Sequence, residues 1–366
     1  MSILIFLAVL LVLIIVHEFG HFIVAKRAGI RVDEFGIGFP PKLFGIKKGE
    51  TEYTLNALPF GGFVRIFGEN PDDPLLQGPD SDRALVRKPK LVQAAVLFAG
   101  VFFNVLLAWI LFSGTLMTGT PAVAGEHEKY ISNEKLLVTH VLPDTPASRT
   151  ELRAGDAILS LSSGGSSIQP ESPEEASAFI RAHHGESILL AFERDGVMFA
   201  APLIPETGLI EESPETPAIG IGMGRVGELR LPFHLALLEG GEQTLSMLYR
   251  ITLGIGTFLF DALLLQADLS TVAGPVGIVG LVGNASALGI VALLNFTAII
   301  SLNLAVINLI PFPALDGGRL LFLCIEALKG SPIKPKVAAA WNTAGFALLV
   351  LLMLVVTYSD ILRLFG

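Results

Sequence analysis

Residues 6–25 read FLAVLLVLIIVHEFGHFIVA, an apolar run in which His17, Glu18 and His21 are the only ionisable groups. A helix that crosses a hydrocarbon core of about 30 Å needs roughly 20 apolar residues, and this run supplies them. Ionisable groups in such a helix are expensive and normally mark function; no basic residue lies within the run to stabilise them as a mere polar cluster. Positions i and i+4 share one helix face, so the imidazoles of His17 and His21 can approach a single metal ion. Zinc accepts neutral imidazole nitrogen readily. Glu18, next to the first of these ligands, is placed to take a proton from a water that the metal polarises.

The rest of the chain agrees with a membrane setting. Of 366 residues, 52% are hydrophobic and only 16% charged, and the mean hydropathy is +0.64, too apolar for an ordinary soluble protein. Four segments, near 2–24, 91–116, 288–312 and 338–358, are long and apolar enough to span a bilayer. The first could instead be a cleaved signal peptide, but nothing basic precedes its apolar run, and Lys26, Arg27 and Arg31 follow it.

Charge sets the expected orientation. Eleven Lys and Arg residues lie between the first two spans, and Arg319, Lys329, Lys334 and Lys336 separate the last two, so the positive-inside rule makes both loops cytoplasmic. The segment between spans two and three carries nine basic against twenty-one acidic residues and should face outward, as should both termini. With a net charge of -9 and no basic stripe, the chain has no electrostatic footprint for nucleic acid, and that partner class is excluded. Cys324, the only cysteine, has no partner for a bridge and reads as a packed, inert thiol.

The organisation follows. Residues 1–30 form the first transmembrane helix. Residues 31–70 alternate short apolar runs with Gly and Pro, with Lys48-Gly49 between two strand-like runs, and read as β-hairpins apolar enough to dip into the bilayer. Residues 71–90 read as a polar, mobile cytoplasmic linker, and 91–116 as the second span. Residues 126–215 hold a soluble α/β unit, with a strand at Leu136–Leu142, a strand at Ala157–Leu161, and a helix starting at Ser172-Pro173. Two further strand-like runs are divided by the hairpin signal Asp195-Gly196. Residues 234–265 are apolar but interrupted by Glu239, Glu242, Arg250 and Asp261, which predicts a pair of interfacial amphipathic helices. Residues 266–287 read as a Gly-rich re-entrant or close-packed loop, 288–330 as the third span, broken near its end, and 337–366 as the fourth.

A catalytic zinc takes three protein ligands and keeps one position open, so a third ligand must come from elsewhere. His127, His140, His183, His184 and His234 all belong to the outward segment and read as surface or packing residues. Asp316 differs: it follows Asn308-Leu-Ile-Pro311-Phe-Pro313-Ala-Leu and precedes Gly317-Gly318, so prolines and glycines break the helix around it. The break frees its carboxylate to reach a metal at the depth of His17 and His21.

HEFGH on the first span with NLIPFPALDGG on the third resembles the site-2 protease family, and the bacterial regulator-of-sigma-E protease branch fits best. FGIGFPPKLFG (Phe35 to Gly45), LPFGGFVRIFGE (Leu58 to Glu69) and the GPVGI run from Gly274 extend the likeness over nearly the whole chain. The run Pro146 to Leu161 resembles a PDZ domain of the bacterial protease type. The resemblance implies a polytopic α-helical membrane protein with four transmembrane helices, membrane-associated β-hairpins and one α/β PDZ-like domain, seated in the bacterial plasma (inner) membrane. It implies a zinc metalloendopeptidase with His17, His21 and Asp316 as Zn2+ ligands and Glu18 as general base. It also implies a substrate-contacting region at Asn308 and Pro311 to Pro313, which Asn303 joins. Asn303 and Asn308 do not stack on one helix face, and either could be interhelical hydrogen-bond glue instead. The branch typically carries two tandem PDZ domains, whereas this chain accommodates one.

Partners implied are transmembrane proteins with trimmed outer domains, such as membrane-bound anti-sigma factors or signal-peptide remnants, and the lipid bilayer. A membrane helix must be unwound before it is cut, and its freed backbone groups need a partner strand. A strand near Phe35–Phe39 or Gly61–Val64, with Gly36, Gly38, Gly61 and Gly62, is the candidate to supply it by β-addition. Two readings compete: a non-catalytic membrane adaptor with a peptide-binding domain, and a metal transporter. The intact Glu18 argues against the first, and the single ligand cluster without an inverted repeat against the second.

Overall fold

Helix α1 (Ser2–Arg27) is apolar apart from its His17-Glu18-Phe19-Gly20-His21 stretch and its basic end, which suits hydrocarbon because its backbone groups are bonded within the segment. It ends where Ile30 N donates to Ala25 O (2.9 Å) and Gly29 takes a left-handed φ of 68°. The computed structural model describes residues 1–69, 74–123, 127–194, 196–209, 213–264, 266, 273–331 and 333–365. They divide into two units, Met1–Thr115 with Phe233–Gly366, and Leu116–Pro232.

After α1 the chain turns into β1 (Val32–Lys48) and β2 (Thr51–Ile66). The register shows that these long strands fold on themselves. Residues 34–37 pair on one side with 65–62 (Glu34 with Arg65, Ile37 with Gly62) and on the other with 52–55 (Glu34 with Glu52, Ile37 with Leu55). Residues 44–48 pair with 55–51. The 34–37 stretch is therefore interior, and among the described residues no strand pairs with the outer flank of 62–65. The Gly49-Glu50 tip is pinned by Glu50, which accepts from Lys26 Nζ and from Arg83 (2.8 Å).

The described part of the 71–90 linker departs from the mobile reading. Residues 74–87 form three single-turn helices, Ala84 and Leu85 are buried, and Leu85 N donates to Phe67 O at 2.9 Å. The polar composition concealed a few apolar anchors that dock on Phe67, over whose ring the Arg31 guanidinium stacks at 3.9 Å. Residues 71–73 lie outside the described residues. Helix α2 (Lys90–Thr118) follows.

The second unit is a sheet with one helix. Its strands are β3 (Thr120–Val123), β4 (Ile131–Val141), β5 (Ala157–Ser163), β6 (Ser166–Ile168), β7 (Ile188–Arg194), β8 (Val197–Leu203) and β9 (Ile221–Leu229), in the order β3-β9-β4-β5-β7-β8 with β6 beside β5. Helix α3 (Pro173–Ala182) starts at Ser172, whose side chain accepts from Glu175 N. Leu136, Val138, Leu161, Phe179, Ile188, Leu190 and Phe192 form the core. Asp156, 1% exposed, is held by a two-pronged contact with Arg194 (2.7 Å each) and is thereby kept below the usual carboxylate range. The unit is wider than the 126–215 expected: β9, Gly-rich and without clear alternation, gave no strand signal yet pairs with both β3 and β4. Asp195 of the expected hairpin turn lies outside the described residues.

Two expectations about the next segment are corrected. In place of a pair of interfacial helices at 234–265, there is one helix, α4 (Phe233–Leu263). Its glycines do not break it, because Gly240 abuts α2, where an added Cβ would lie 2.3 Å from Ser113 Oγ. In place of a Gly-rich loop at 266–287, residues 275–287 form helix α5 (Pro275–Ala287); residues 267–272 lie outside the described residues. The start of α5 is supplied from far away: the buried Asp360 carboxylate accepts from Gly274 N (3.2 Å) and Gly277 N (2.8 Å). Then come α6 (Ile290–Leu309), α7 (Asp316–Lys329) and α8 (Pro335–Phe365). Among the described residues, four helices are long and apolar enough to cross a membrane, namely α1, α2, α6 and α8. The chain is a polytopic α-helical membrane protein with a β1/β2 sheet after its first helix and a second unit of α/β type.

Candidate metal centre

His17 and His21 sit one turn apart on the buried face of α1, each 7% exposed. Asp316 reaches them from the first residue of α7. The α6–α7 break is built from Pro311 and Pro313, which lack a backbone donor, and from Ala314, which takes a left-handed φ of 68°. Gly317 and Gly318 then let α7 close back on the break: a Cβ on either would lie 2.2 Å from Ile310 O or 2.1 Å from Phe312 O. The carboxylate is thus aimed by backbone geometry and not by a flexible loop.

Three atoms converge. His17 Nε2 lies 3.1 Å from Asp316 Oδ2, His21 Nε2 lies 3.3 Å from the same oxygen, and the two Nε2 atoms are 3.2 Å apart. Bonds of about 2.0–2.1 Å in a tetrahedron place ligand atoms about 3.3–3.4 Å apart, so this triangle fits zinc with one corner left for water. Two nitrogens and a carboxylate oxygen are also a donor set that zinc accepts. The other ring nitrogens face α2: His21 Nδ1 donates to Val96 O (2.8 Å), and His17 Nδ1 lies 3.1 Å from Asn104 Nδ2.

Two cavities flank this triangle. One of about 260 Å³ is bounded by His17, Glu18, Gly61, Gly62, Asn308 and Asp316. The other, of about 170 Å³, runs past Glu18, His21 and Asp316 to Glu69 and Arg319, which pair with each other. Glu18 borders both. A third cavity, of about 140 Å³, lies wholly in the second unit between α3 (Ser177, Ile180, Arg181) and the Ala218–Ile221 segment leading into β9.

The site residues expected from sequence separate into two groups. His17, Glu18, His21, Asp316, Asn308, Gly61 and Gly62 come together. The others do not reach the cavity. Gly36 and Gly38 lie on β1, behind the edge: a Cβ on Gly36 would meet the Phe63 ring, and one on Gly38 the Leu58 carbonyl. Asn303 Nδ2 donates to Ile299 O of its own helix (2.9 Å). Pro313 packs on Gly345 of α8, and Pro311 is exposed outside both cavities. Sequence reasoning placed α2 as the second span but gave it no part in the site. Gly100 is pressed against the histidines, with a Cβ there 2.4 Å from His21 Nε2, and Asn104 follows one turn later. A lone Asn in an apolar span with Gly four residues before it was the available signal.

A family model described as peptidase family M50 matches residues 5–352. The chain belongs to peptidase family M50, the site-2 protease family. As a member of that family it is a zinc metalloprotease of the site-2 type, acting within the membrane. Its relatives include zinc metalloprotease RasP of Shouchella clausii, 30% identical over all of this chain and all of that one. RasP of Geobacillus kaustophilus is 31% identical, covering 100% of this chain and 98% of that one. The regulator of sigma-W protease RasP of Bacillus subtilis is 30% identical, with 96% of each covered. Among solved structures, the PDZ domain of an SdrC-like protein from Listeria monocytogenes matches 25% of this M50 chain and 90% of its own, at 22% identity and a TM-score of 0.22.

Proposed function

We propose that this chain hydrolyses peptide bonds within transmembrane segments of other membrane proteins, with His17, His21 and Asp316 holding zinc and Glu18 as general base. The observation that carries the reading is the triangle of donor atoms 3.1–3.3 Å on a side, beside a glutamate and an unpaired sheet edge. When bound, zinc supplies a Lewis acid that polarises water and the scissile carbonyl. Glu18 takes the proton from that water and returns it to the leaving amine. The Asn308 amide, in the same cavity, donates to the oxyanion as it forms.

A helical substrate must first be unwound, since its carbonyls are bonded within the helix and shielded by side chains. Unpaired backbone in hydrocarbon costs several kcal/mol per group, and the outer flank of residues 62–65 can receive it as an added strand. Gly61 and Gly62, without side chains, let that strand lie close to Glu18. The interior position of 34–37 leaves Phe35–Phe39 no flank to offer, which favours the second of the two candidate strands.

The basic loops between α1 and α2 and between α7 and α8 support a cytoplasmic placement for both, with the termini and the second unit outside. The second unit then screens for substrates whose outer domains are already trimmed. The name of the Bacillus subtilis relative supports membrane-bound regulators of sigma factors as one substrate class. The test is Glu18→Gln in the full chain. It should keep zinc and lose about 10²–10⁴-fold in cleavage of a model transmembrane substrate. Undiminished cleavage would remove Glu18 as base, and absence of cleavage by the unaltered protein would favour the adaptor reading.

A further inference from the structure

The α2 helix contributes a group to the metal centre that neither the ligand set nor the general base accounts for. Asn104 is 0% exposed, lies in the middle of an apolar helix, and has its backbone carbonyl fixed by Ser301 Oγ (2.8 Å). Its side-chain nitrogen faces His17 Nδ1 at 3.1 Å, while its side-chain oxygen is buried without a hydrogen-bond partner among the described residues. A buried amide oxygen left unpaired in an apolar interior is costly, which points to a partner it serves.

The chemistry of the ring supplies the reason. A neutral imidazole carries one proton, and if Nε2 gives its lone pair to a metal, the proton resides on Nδ1. Nδ1–H is then a donor and needs an acceptor; ligating histidines generally have one, and it fixes both tautomer and ring angle. His21 has its acceptor in Val96 O (2.8 Å). Among the described residues, the group facing His17 Nδ1 is Asn104. Amide oxygen and nitrogen exchange places by a half-turn about the terminal bond, and that turn gives the orphan oxygen to Nδ1–H.

We propose that Asn104 is a positioning residue whose side-chain oxygen accepts from His17 Nδ1–H, holding His17 in the tautomer that presents Nε2 to zinc. This rests on the zinc reading above. It makes α2 the orienting wall of the site: a backbone carbonyl sets one histidine and a side-chain carbonyl sets the other, eight residues apart on the same face.

The test measures zinc affinity by chelator competition on the full-length protein in detergent, alongside the thermal midpoint of the chelated form. Asn104→Leu, similar in size but without an acceptor, should weaken zinc binding by about 10–100-fold. Asn104→Asp, which can only accept, should stay within about threefold of the unaltered protein or bind more tightly. Asn104→Leu binding zinc as tightly as the unaltered protein would overturn the proposal. Should that variant fail to fold, a tenfold or greater loss in a folded Asn104→Asp would overturn it equally. Failure of the unaltered protein to bind zinc would instead bring down the functional reading, and this inference with it.

Discussion

Replacing Gly100 by alanine strikes the metal centre from behind. The new Cβ would lie 2.4 Å from His21 Nε2, 2.6 Å from His17 Cε1 and 2.8 Å from His17 Nε2, against about 3.4 Å for an ordinary contact, so the rings must retreat by about 1 Å. They have little room to do so. His21 is held by Val96 O (2.8 Å) on the same helix as the intruding methyl, and α1 abuts α2 at Gly20, where a Cβ would sit 2.5 Å from Ala99 O. Metal sites tolerate about 0.2 Å of error in ligand distance, and a 1 Å displacement exceeds that several-fold. We expect a loss of about a hundredfold in zinc affinity, roughly 2.8 kcal/mol at 1.4 kcal/mol per decade. Gly114→Ala is the control: it lies on the same helix with nothing within 4 Å of its Cβ, and it should leave zinc untouched. Bound zinc per protein after dialysis against graded chelator, with the thermal midpoint of each chelated variant, decides the matter. Gly100→Ala with unaltered affinity would refute the proposed proximity of α2 to the ligands.

Two further perturbations probe other parts. Gly62→Ala adds a methyl 3.0 Å from Ile14 Cγ2 and 3.5 Å from Glu18 Cγ, at the sheet edge beside the cavity; turnover should fall about tenfold or more while zinc content holds, and equal turnover would remove that edge from substrate binding. Glu50, hydrogen-bonded first by Arg83 and then by Lys26, is held down to about 2 from an ordinary 4.5. A depressed folded pKa contributes stability above the unfolded value that is lost as pH falls through the folded one. The difference in thermal midpoint between the unaltered protein and Glu50→Gln should therefore be constant above about pH 5 and shrink towards pH 2; a difference independent of pH over that window would show that the ion pairs at the hairpin tip contribute nothing.

Much of this protein was legible in one dimension. Histidines at i and i+4 need no tertiary information to share a face, because a single helix fixes their relation. Four spans follow from the length of hydrocarbon that must be crossed, and the prolines and glycines around Asp316 announce a break through their own backbone limits. What tertiary structure decided lies between elements distant in sequence. Asn104 meets His17 across 87 positions, Asp316 meets it across 299, and Asp360 caps α5 across more than 80. Which flank of the sheet stays open depended on how two long strands fold on themselves, and neither strand's alternation encodes that choice. Local geometry can be read from a chain because covalent bonds enforce it. Packing contacts arise only once the helices have met, and a glycine or an asparagine in an apolar run looks the same whether it faces lipid, a neighbouring helix or a metal ligand.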